Sequence, residues 1–122
     1  MDPTLVALVD DEAPVRAALG RLLRLAGYQV AAFEGGEPFL ASLAYTLPAC
    51  VLLDINMPGL SGLQVQAQLL AKGMTLPVVF ITGSDDPTVH RLALGSGGRG
   101  VLHKPFGNDE LLAAVQLALS TP

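Results

Sequence analysis

Several residue types are scarce in this chain, and each scarcity excludes a class of protein. The 122 residues include one cysteine, no tryptophan and only 15% charged residues, with a net charge of −4. A lone cysteine cannot form an internal disulfide, and Cys50 lies within an apolar run, so we expect a small buried side chain there. Seven basic residues provide no basic stripe to neutralise phosphates. Direct binding to nucleic acid is therefore not expected.

Long apolar segments are also missing. No run approaches the ~20 residues that a membrane helix needs. The first residues, Met1-Asp2-Pro3-Thr4, lack the basic and apolar regions of a secretory signal. We therefore expect a cytoplasmic location and no association with membranes. The 51% apolar composition argues against disorder, and the length suits one domain over residues 1–122.

Short apolar runs alternate with helical periods along the chain. Strands are predicted at 5–9, 28–33, 50–55, 77–82 and 101–103, and helices at 15–26, 36–44, 63–71, from 86 and from 107 or 108. Within these limits, Gly27 is expected to end the first helix, and Asp86 with Pro87 to begin the fourth. This alternation predicts an α/β fold with a doubly wound, five-stranded parallel sheet and helices on both faces.

One segment is unusually rich in glycine. Gly95-Ser96-Gly97-Gly98-Arg99-Gly100 contains four glycines in six residues. Glycine disfavours helix because it loses the most backbone freedom on folding. We therefore expect a short fourth helix and a mobile connection after it.

Polar side chains follow four of the five predicted strands. Asp10 and Asp11 follow the first strand, Asp54 ends the third, Thr82 ends the fourth and Lys104 follows the fifth. In a doubly wound parallel sheet, the carboxyl ends of the strands meet at one edge, where ligands bind. Three carboxylates, one hydroxyl and one ammonium are therefore expected to lie close together.

This combination has a definite chemistry. Two carboxylates about 4 Å apart repel by roughly 4 kcal/mol at an effective dielectric constant near 20, which favours a bound cation. Oxygen donors without histidine or cysteine suit Mg²⁺, or Mn²⁺. A carboxylate can attack phosphorus to give an aspartyl phosphate, and a cation, a lysine and a hydroxyl would neutralise the phosphoryl oxygens.

Each of these residues also has a simpler interpretation. Asp10 or Asp11 could cap the first helix, and Asp54 could be a turn residue before Pro58-Gly59. Thr82 alone is most often a strand-end hydroxyl, and Lys104 alone a solvated surface charge. Their arrangement as a set is less probable by chance than any single member.

Four motifs resemble those of bacterial response-regulator receiver domains, and two of the matching segments resemble the FixJ-like branch. The motifs are Val9-Asp10-Asp11-Glu12, Leu53 to Gly62, Phe80-Ile81-Thr82-Gly83 and His103-Lys104-Pro105-Phe106; the segment Leu25 to Val30 supports the branch together with the third motif. The resemblance implies a flavodoxin-like strand order, 2-1-3-4-5. It also implies a phosphorylatable signalling switch rather than an enzyme that turns over an external substrate, without an output domain in these residues.

The resemblance further implies a role for each site residue. Asp54 resembles the acceptor of a phosphoryl group from a sensor histidine kinase or phosphotransfer protein. Asp11, Asp54 and the carbonyl of Asn56 resemble Mg²⁺ ligands, and Asp10 resembles a ligand through water. Thr82 and Lys104 resemble the groups that contact the phosphoryl oxygens. The Lys104–Pro105 bond is expected to be cis. A homodimer through the fourth helix and fifth strand is possible on this resemblance.

Two departures from the family pattern affect the signalling face. Val101 stands where the family usually has an aromatic residue, and Ser96-Gly97-Gly98 replaces an Ala-Gly-Ala-like exit from the fourth helix. Neither departure touches the residues that resemble the phosphorylation site.

Two other functions fit the strand-end acids less well. A Mg²⁺-dependent phosphatase of the haloacid-dehalogenase type would need a second aspartate two residues after Asp54, where this chain has Asn56. A flavodoxin-like nucleotide binder would need a phosphate-binding loop after the first strand. Asp10-Asp11-Glu12 would repel a phosphate there.

Overall fold

Strands and helices alternate strictly in the computed structural model, which describes residues 3–120. The strands are β1 (Leu5–Val9), β2 (Gln29–Phe33), β3 (Cys50–Asp54), β4 (Val78–Thr82) and β5 (Gly100–His103). The helices are α1 (Ala13–Leu25), α2 (Gly36–Ser42), α3 (Gly62–Ala71), α4 (Pro87–Gly95) and α5 (Asn108–Ser120). Every predicted element is present, and its boundaries lie within about two residues of the prediction.

All five strands form one parallel sheet in the order β2-β1-β3-β4-β5. This order confirms the flavodoxin-like prediction. Asp54 of β3 is paired with Ile81 of β4, and Thr82 of β4 with His103 of β5. The register therefore brings the polar residues at the strand ends to a common edge.

The core consists of two apolar layers, one on each face of the sheet. Residues of β3 are buried on both faces and alternate between the layers: Val51 and Leu53 face one, Cys50 and Leu52 the other. The first layer also contains residues of α2, α3 and α4, and the second contains residues of α1 and α5. Helices therefore cover both faces, as predicted. Burial raises the pKa of the Cys50 thiol to about 11, which leaves it protonated.

Local capping explains where several helices begin and end. Ser61 and Gln64 form a reciprocal capping box at the start of α3. Asp86 accepts a hydrogen bond from the Thr88 amide, with Pro87 at the first position of α4, which confirms the predicted start. Gly27 follows α1 with φ 98°, a conformation that favours glycine. None of the helices within residues 3–120 is long and apolar enough to cross a membrane.

Close packing and one hydrogen bond hold part of the glycine-rich segment after α4 against the core. A Cβ at Gly98 would lie 2.6 Å from the Phe80 ring and 2.8 Å from the Ala93 carbonyl, so this glycine is required by close packing. The Gln66 amide donates a hydrogen bond to the Ser96 carbonyl at 3.0 Å. α4 has nine residues and is short, as predicted. At Gly98, glycine serves close approach of the backbone to the core, and the mobility of the connection stays a prediction.

This packing predicts opposite effects for two glycines of the same segment. Gly98→Ala should destabilise the protein by about 1–3 kcal/mol, because the added methyl group overpacks the contact with Phe80. Gly95→Ala is the matched control. Its Cβ would meet no atom within 4 Å, and alanine favours helix, so stability should be unchanged or rise by up to about 1 kcal/mol. Urea unfolding measures both, and equal stability of the two variants would contradict the packing role of Gly98.

Candidate functional site

The carboxyl edge of the sheet brings the predicted site residues together. Asp10 follows β1 and is fully buried, while Asp54 and Thr82, the last residues of β3 and β4, are each 2% exposed. Lys104 follows β5 directly, and the Lys104–Pro105 peptide bond is cis, as expected. Asp11 and Asn56 are exposed at the rim of the same edge.

The ammonium group of Lys104 lies among three carboxylates. Its Nζ is 3.5 Å from Asp10 Oδ2, 3.5 Å from Glu12 Oε1 and 3.7 Å from Asp54 Oδ2. Glu12 was not predicted as a partner of Lys104. The sequence places Glu12 beside two acids after β1, but its contact with Lys104 depends on where α1 begins.

Each of the two buried aspartates divides its oxygens between two tasks. Asp10 Oδ1 accepts a hydrogen bond from the Glu12 amide at 2.8 Å, and Asp54 Oδ1 accepts one from the Asn56 amide at 3.1 Å. The Asp54 contact stabilises a turn, as the simpler interpretation predicted, and the Asp10 contact has the same form. The alternative that Asp10 or Asp11 caps α1 is wrong, because Glu12 occupies the N-cap position. The Oδ2 atoms of Asp10 and Asp54 face Lys104 instead. In each aspartate, Oδ1 therefore stabilises a turn, and Oδ2 is placed for the chemistry of the site.

The charges at this edge alter two pKa values. Burial, and then the nearby Asp10 carboxylate, raise the pKa of Asp54 from 3.8 to about 6, although Lys104 and the Asn56 amide act in the opposite direction. Burial tends to lower the pKa of Lys104, but attraction to Asp54, Asp10 and Glu12 outweighs it and raises that pKa. At neutral pH, Asp54 is mainly ionised and Lys104 is charged.

The Thr82 hydroxyl makes two hydrogen bonds with residues of the site. It donates a hydrogen bond to Asn56 Oδ1 at 3.2 Å and accepts one from the Ser84 amide at 3.0 Å. These two contacts were not foreseen from the sequence. An open cavity of about 420 Å³ adjoins them, lined by Glu12, Asp54, Asn56, Gly83, Ser84 and Lys104. The Asp54 carboxylate, the Lys104 ammonium and polar neighbours thus surround a space large enough for a phosphoryl group.

The donor set suits a hard divalent cation. Asp10, Asp11 and Glu12 each offer one carboxylate oxygen, and these atoms lie within 4.8 Å of one another. Asp54 belongs to the neighbouring strand, and Asn56 follows it. All of these donors are oxygens, which Mg²⁺ and Mn²⁺ prefer. The compact acidic group differs from the predicted ligand set in containing Glu12.

Comparison with known proteins identifies the family. The model of the response regulator receiver domain matches residues 6–116. This chain belongs to the receiver domain family. It is 37% identical over 114 residues to nodulation protein W of Bradyrhizobium diazoefficiens, covering 93% of this chain and 50% of that protein. It is 38% identical over 115 residues to the transcriptional regulatory protein TdiR of Thauera aromatica, covering 94% and 51%.

Solved receiver structures have the same fold. A response regulator receiver protein from Burkholderia phymatum is 39% identical, with a TM-score of 0.85 and 98% of this chain and 97% of that chain covered. The structure of FixJ-N is 29% identical, with a TM-score of 0.91 and coverage of 100% and 98%, which supports the FixJ-like assignment. The receiver domain spans about half the length of the curated relatives that it matches first.

The three carboxylates around Lys104 predict a pH-dependent loss of stability in Lys104→Met. At pH 7–8 the variant should be less stable than the parent by about 1–3 kcal/mol, because buried carboxylates lose their counter-charge. This deficit should shrink as the pH falls through about 6, since protonated Asp54 no longer needs the ammonium. It should also be lost above pH 10.5, as the parent's Lys104, whose pKa is raised, gives up its own charge.

Lys72→Met is the control for this measurement, because Lys72 is an exposed residue at the end of α3. Urea unfolding in metal-free buffer from pH 4 to above pH 10.5 gives the comparison. An equal deficit for both variants, or one independent of pH, would contradict the electrostatic account.

Proposed function

We propose that this receiver domain accepts a phosphoryl group on Asp54 from a sensor histidine kinase or phosphotransfer protein. The arrangement of Asp54 supports this most directly: one oxygen is fixed by the Asn56 amide, and the other faces Lys104 beside the open cavity. In this reaction a bond forms between phosphorus and Asp54 Oδ2 as the P–N bond of a phosphohistidine breaks. The departing imidazole takes a proton from solvent.

The raised pKa of Asp54 is compatible with this role. A carboxylate with a pKa of about 6 is mostly ionised at the pH of the cytoplasm, where we expect the domain to act, so it can attack phosphorus. Its neighbours Asp10 and Glu12 would repel an incoming phosphoryl group. The site therefore requires cations to receive one.

A divalent cation, Mg²⁺ or Mn²⁺, fits the acidic edge for that purpose. Asp10, Asp11 and Asp54, together with the carbonyl of Asn56, would hold it, and Glu12 lies close enough to take part. When bound, the cation would offset the charge of the carboxylates and of the phosphoryl oxygens.

Lys104 and Thr82 supply the remaining contacts. Lys104 would exchange its attraction to the Asp54 carboxylate for the new phosphoryl oxygens, while staying near Asp10 and Glu12. The Thr82 hydroxyl would leave Asn56 and the Ser84 amide and turn towards the phosphoryl group. That exchange links the chemistry at Asp54 to the connection before α4.

The same residues favour a switch over a phosphatase. Asn56, two residues after Asp54, cannot donate or remove a proton as a general acid or base. The domain would therefore catalyse only its own phosphorylation and dephosphorylation, without turning over an external substrate.

The surface formed by α4 and β5 is the proposed signalling face. Leu92 and Leu94 are 56% and 46% exposed, and Val101 of β5 is partly buried against the core layer that contains α4. Exposed leucines on a short helix suit a homodimer contact. Valine has too few rotamers and too little volume to swing like the usual aromatic residue. We therefore propose that the signal passes through a change in α4 as a whole.

Phosphorylation by a small donor tests the assignment of Asp54. Incubation with acetyl phosphate and Mg²⁺ should add one phosphoryl group, seen by intact mass, and EDTA should prevent it. Asp54→Asn should abolish the addition, because an amide is not a nucleophile towards phosphorus. Asp109→Asn, which changes an exposed acid in the first turn of α5, is the matched control and should be phosphorylated like the parent.

Full phosphorylation of Asp54→Asn, with the label on another residue, would show that the acceptor is misassigned. Phosphorylation that is unchanged by EDTA would contradict the metal requirement.

A further inference from the structure

A side-chain contact joins the two elements that carry Thr82 and Lys104. His103 Nε2 lies 2.8 Å from Asp85 Oδ1. His103 is the last residue of β5 and directly precedes Lys104, whereas Asp85 is the third residue after Thr82, in the connection to α4. Neither residue lines the cavity beside Asp54. The proposed phosphorylation chemistry therefore gives this contact no role.

We propose that Asp85 and His103 act as positioning residues that oppose phosphorylation. Their contact, the Asp85–His103 latch, holds the β4–α4 connection in the arrangement where the Thr82 hydroxyl is bound to Asn56 and Ser84. The inference rests on the proposed function, because it assumes that Thr82 must leave these partners when Asp54 carries a phosphoryl group.

Two hydrogen bonds connect the residues next to Asp85 with Thr82. The Ser84 amide donates to Thr82 Oγ1 at 3.0 Å, and the Asp86 amide donates to Ser84 Oγ at 3.1 Å. Residues on both sides of Asp85 are therefore bound within the connection itself. The latch then fixes this connection to the end of β5, next to the backbone hydrogen bond from the Lys104 amide to the Thr82 carbonyl at 2.8 Å.

The surroundings of the latch are polar and open to solvent. Ser84, Asp86, Pro87, His90 and Arg91 line the same depression, of about 350 Å³. The Arg91 guanidinium donates to the Thr88 hydroxyl at 3.3 Å, and Asp86 accepts from the Thr88 amide, so both have partners within α4. The side chains of His103 and Asp85 are 47% and 95% exposed.

This exposure sets the size of the expected effect. An exposed pair changes an equilibrium constant by roughly fivefold at most. Such a contact contributes little to overall stability. A conformational equilibrium between two folded states can nevertheless shift by the same factor when one state contains the contact and the other does not.

The test uses beryllofluoride with Mg²⁺ as a non-covalent phosphoryl mimic and measures its affinity for four variants. Asp85→Ala and His103→Ala should each raise the affinity about two- to fivefold. The double variant should gain no more than either single variant, because both substitutions remove the same contact. Asp86→Asn is the matched control. It removes one charge from the same connection but keeps a residue that caps α4, so its affinity should equal that of the parent.

A second readout does not require phosphoryl chemistry. In the protein without the mimic, amide hydrogen exchange at Ser84 should accelerate in Asp85→Ala and His103→Ala, because its bond to Thr82 is less constrained. Exchange at Thr88, which is bonded to Asp86 within α4, should stay unchanged.

The outcomes separate the two proposals. If the parent binds the mimic but the single variants match it in affinity and in Ser84 exchange, the latch alone is overturned. Additive effects in the double variant would also overturn it. Failure of the parent to bind the mimic would overturn the proposed function, whereas Ser84 exchange would still decide whether the contact restrains the connection.

Discussion

Lys104 places one ammonium group within 3.5–3.7 Å of carboxylates from two strand ends and from Glu12, the residue directly before α1. The parallel sheet brings the two buried aspartates together, because β1 and β3 are neighbours and Asp10 follows β1 while Asp54 ends β3. Two cations lie at this edge, Lys104 and Arg16, whose guanidinium donates to the Asp10 carbonyl at 2.7 Å. Four carboxylates lie there, those of Asp10, Asp11, Glu12 and Asp54, so the edge is short of cations. Burial and the nearby Asp10 carboxylate raise the pKa of Asp54, and the proposed metal binding and phosphoryl acceptance would both relieve this shortage.

The two oxygens of each buried aspartate explain how such a crowded edge folds. Backbone amides satisfy Oδ1 of Asp10 and Asp54, which fixes both carboxylates and the turns that follow them. Their Oδ2 atoms stay available for Lys104 or for a ligand. A rigid carboxylate with one free oxygen is suited to directional attack on phosphorus, because little reorganisation is needed when the donor arrives.

The fold and the members of the site were predictable from the sequence because they follow from periodicity. Apolar runs of strand length place Asp54 and Thr82 at a common edge once the sheet is parallel. The motifs then supplied the strand order, which the pairing of β1 with both β2 and β3 confirms.

Contacts that depend on turn geometry could not be predicted from the sequence. The bond from Thr82 to Asn56 and the approach of Glu12 to Lys104 are set by a few backbone angles after the strands. The packing role of Gly98 was not predicted, because glycine occurs both where the backbone is free and where it packs closely, and only the distance to Phe80 separates the two. The Asp85–His103 latch joins residues far apart in the chain, and no periodicity marks it.

The most direct test of this account is the pKa of Asp54 in the metal-free protein, followed by the carbon-13 shift of its side-chain carboxyl group. The account predicts a pKa of about 6 in the parent, and a higher pKa in Lys104→Met, because the ammonium favours the ionised form. A pKa near the ordinary value of 3.8, or one that Lys104→Met leaves unchanged, would contradict the claim that burial, the Asp10 carboxylate and the Lys104 ammonium together set the charge of Asp54.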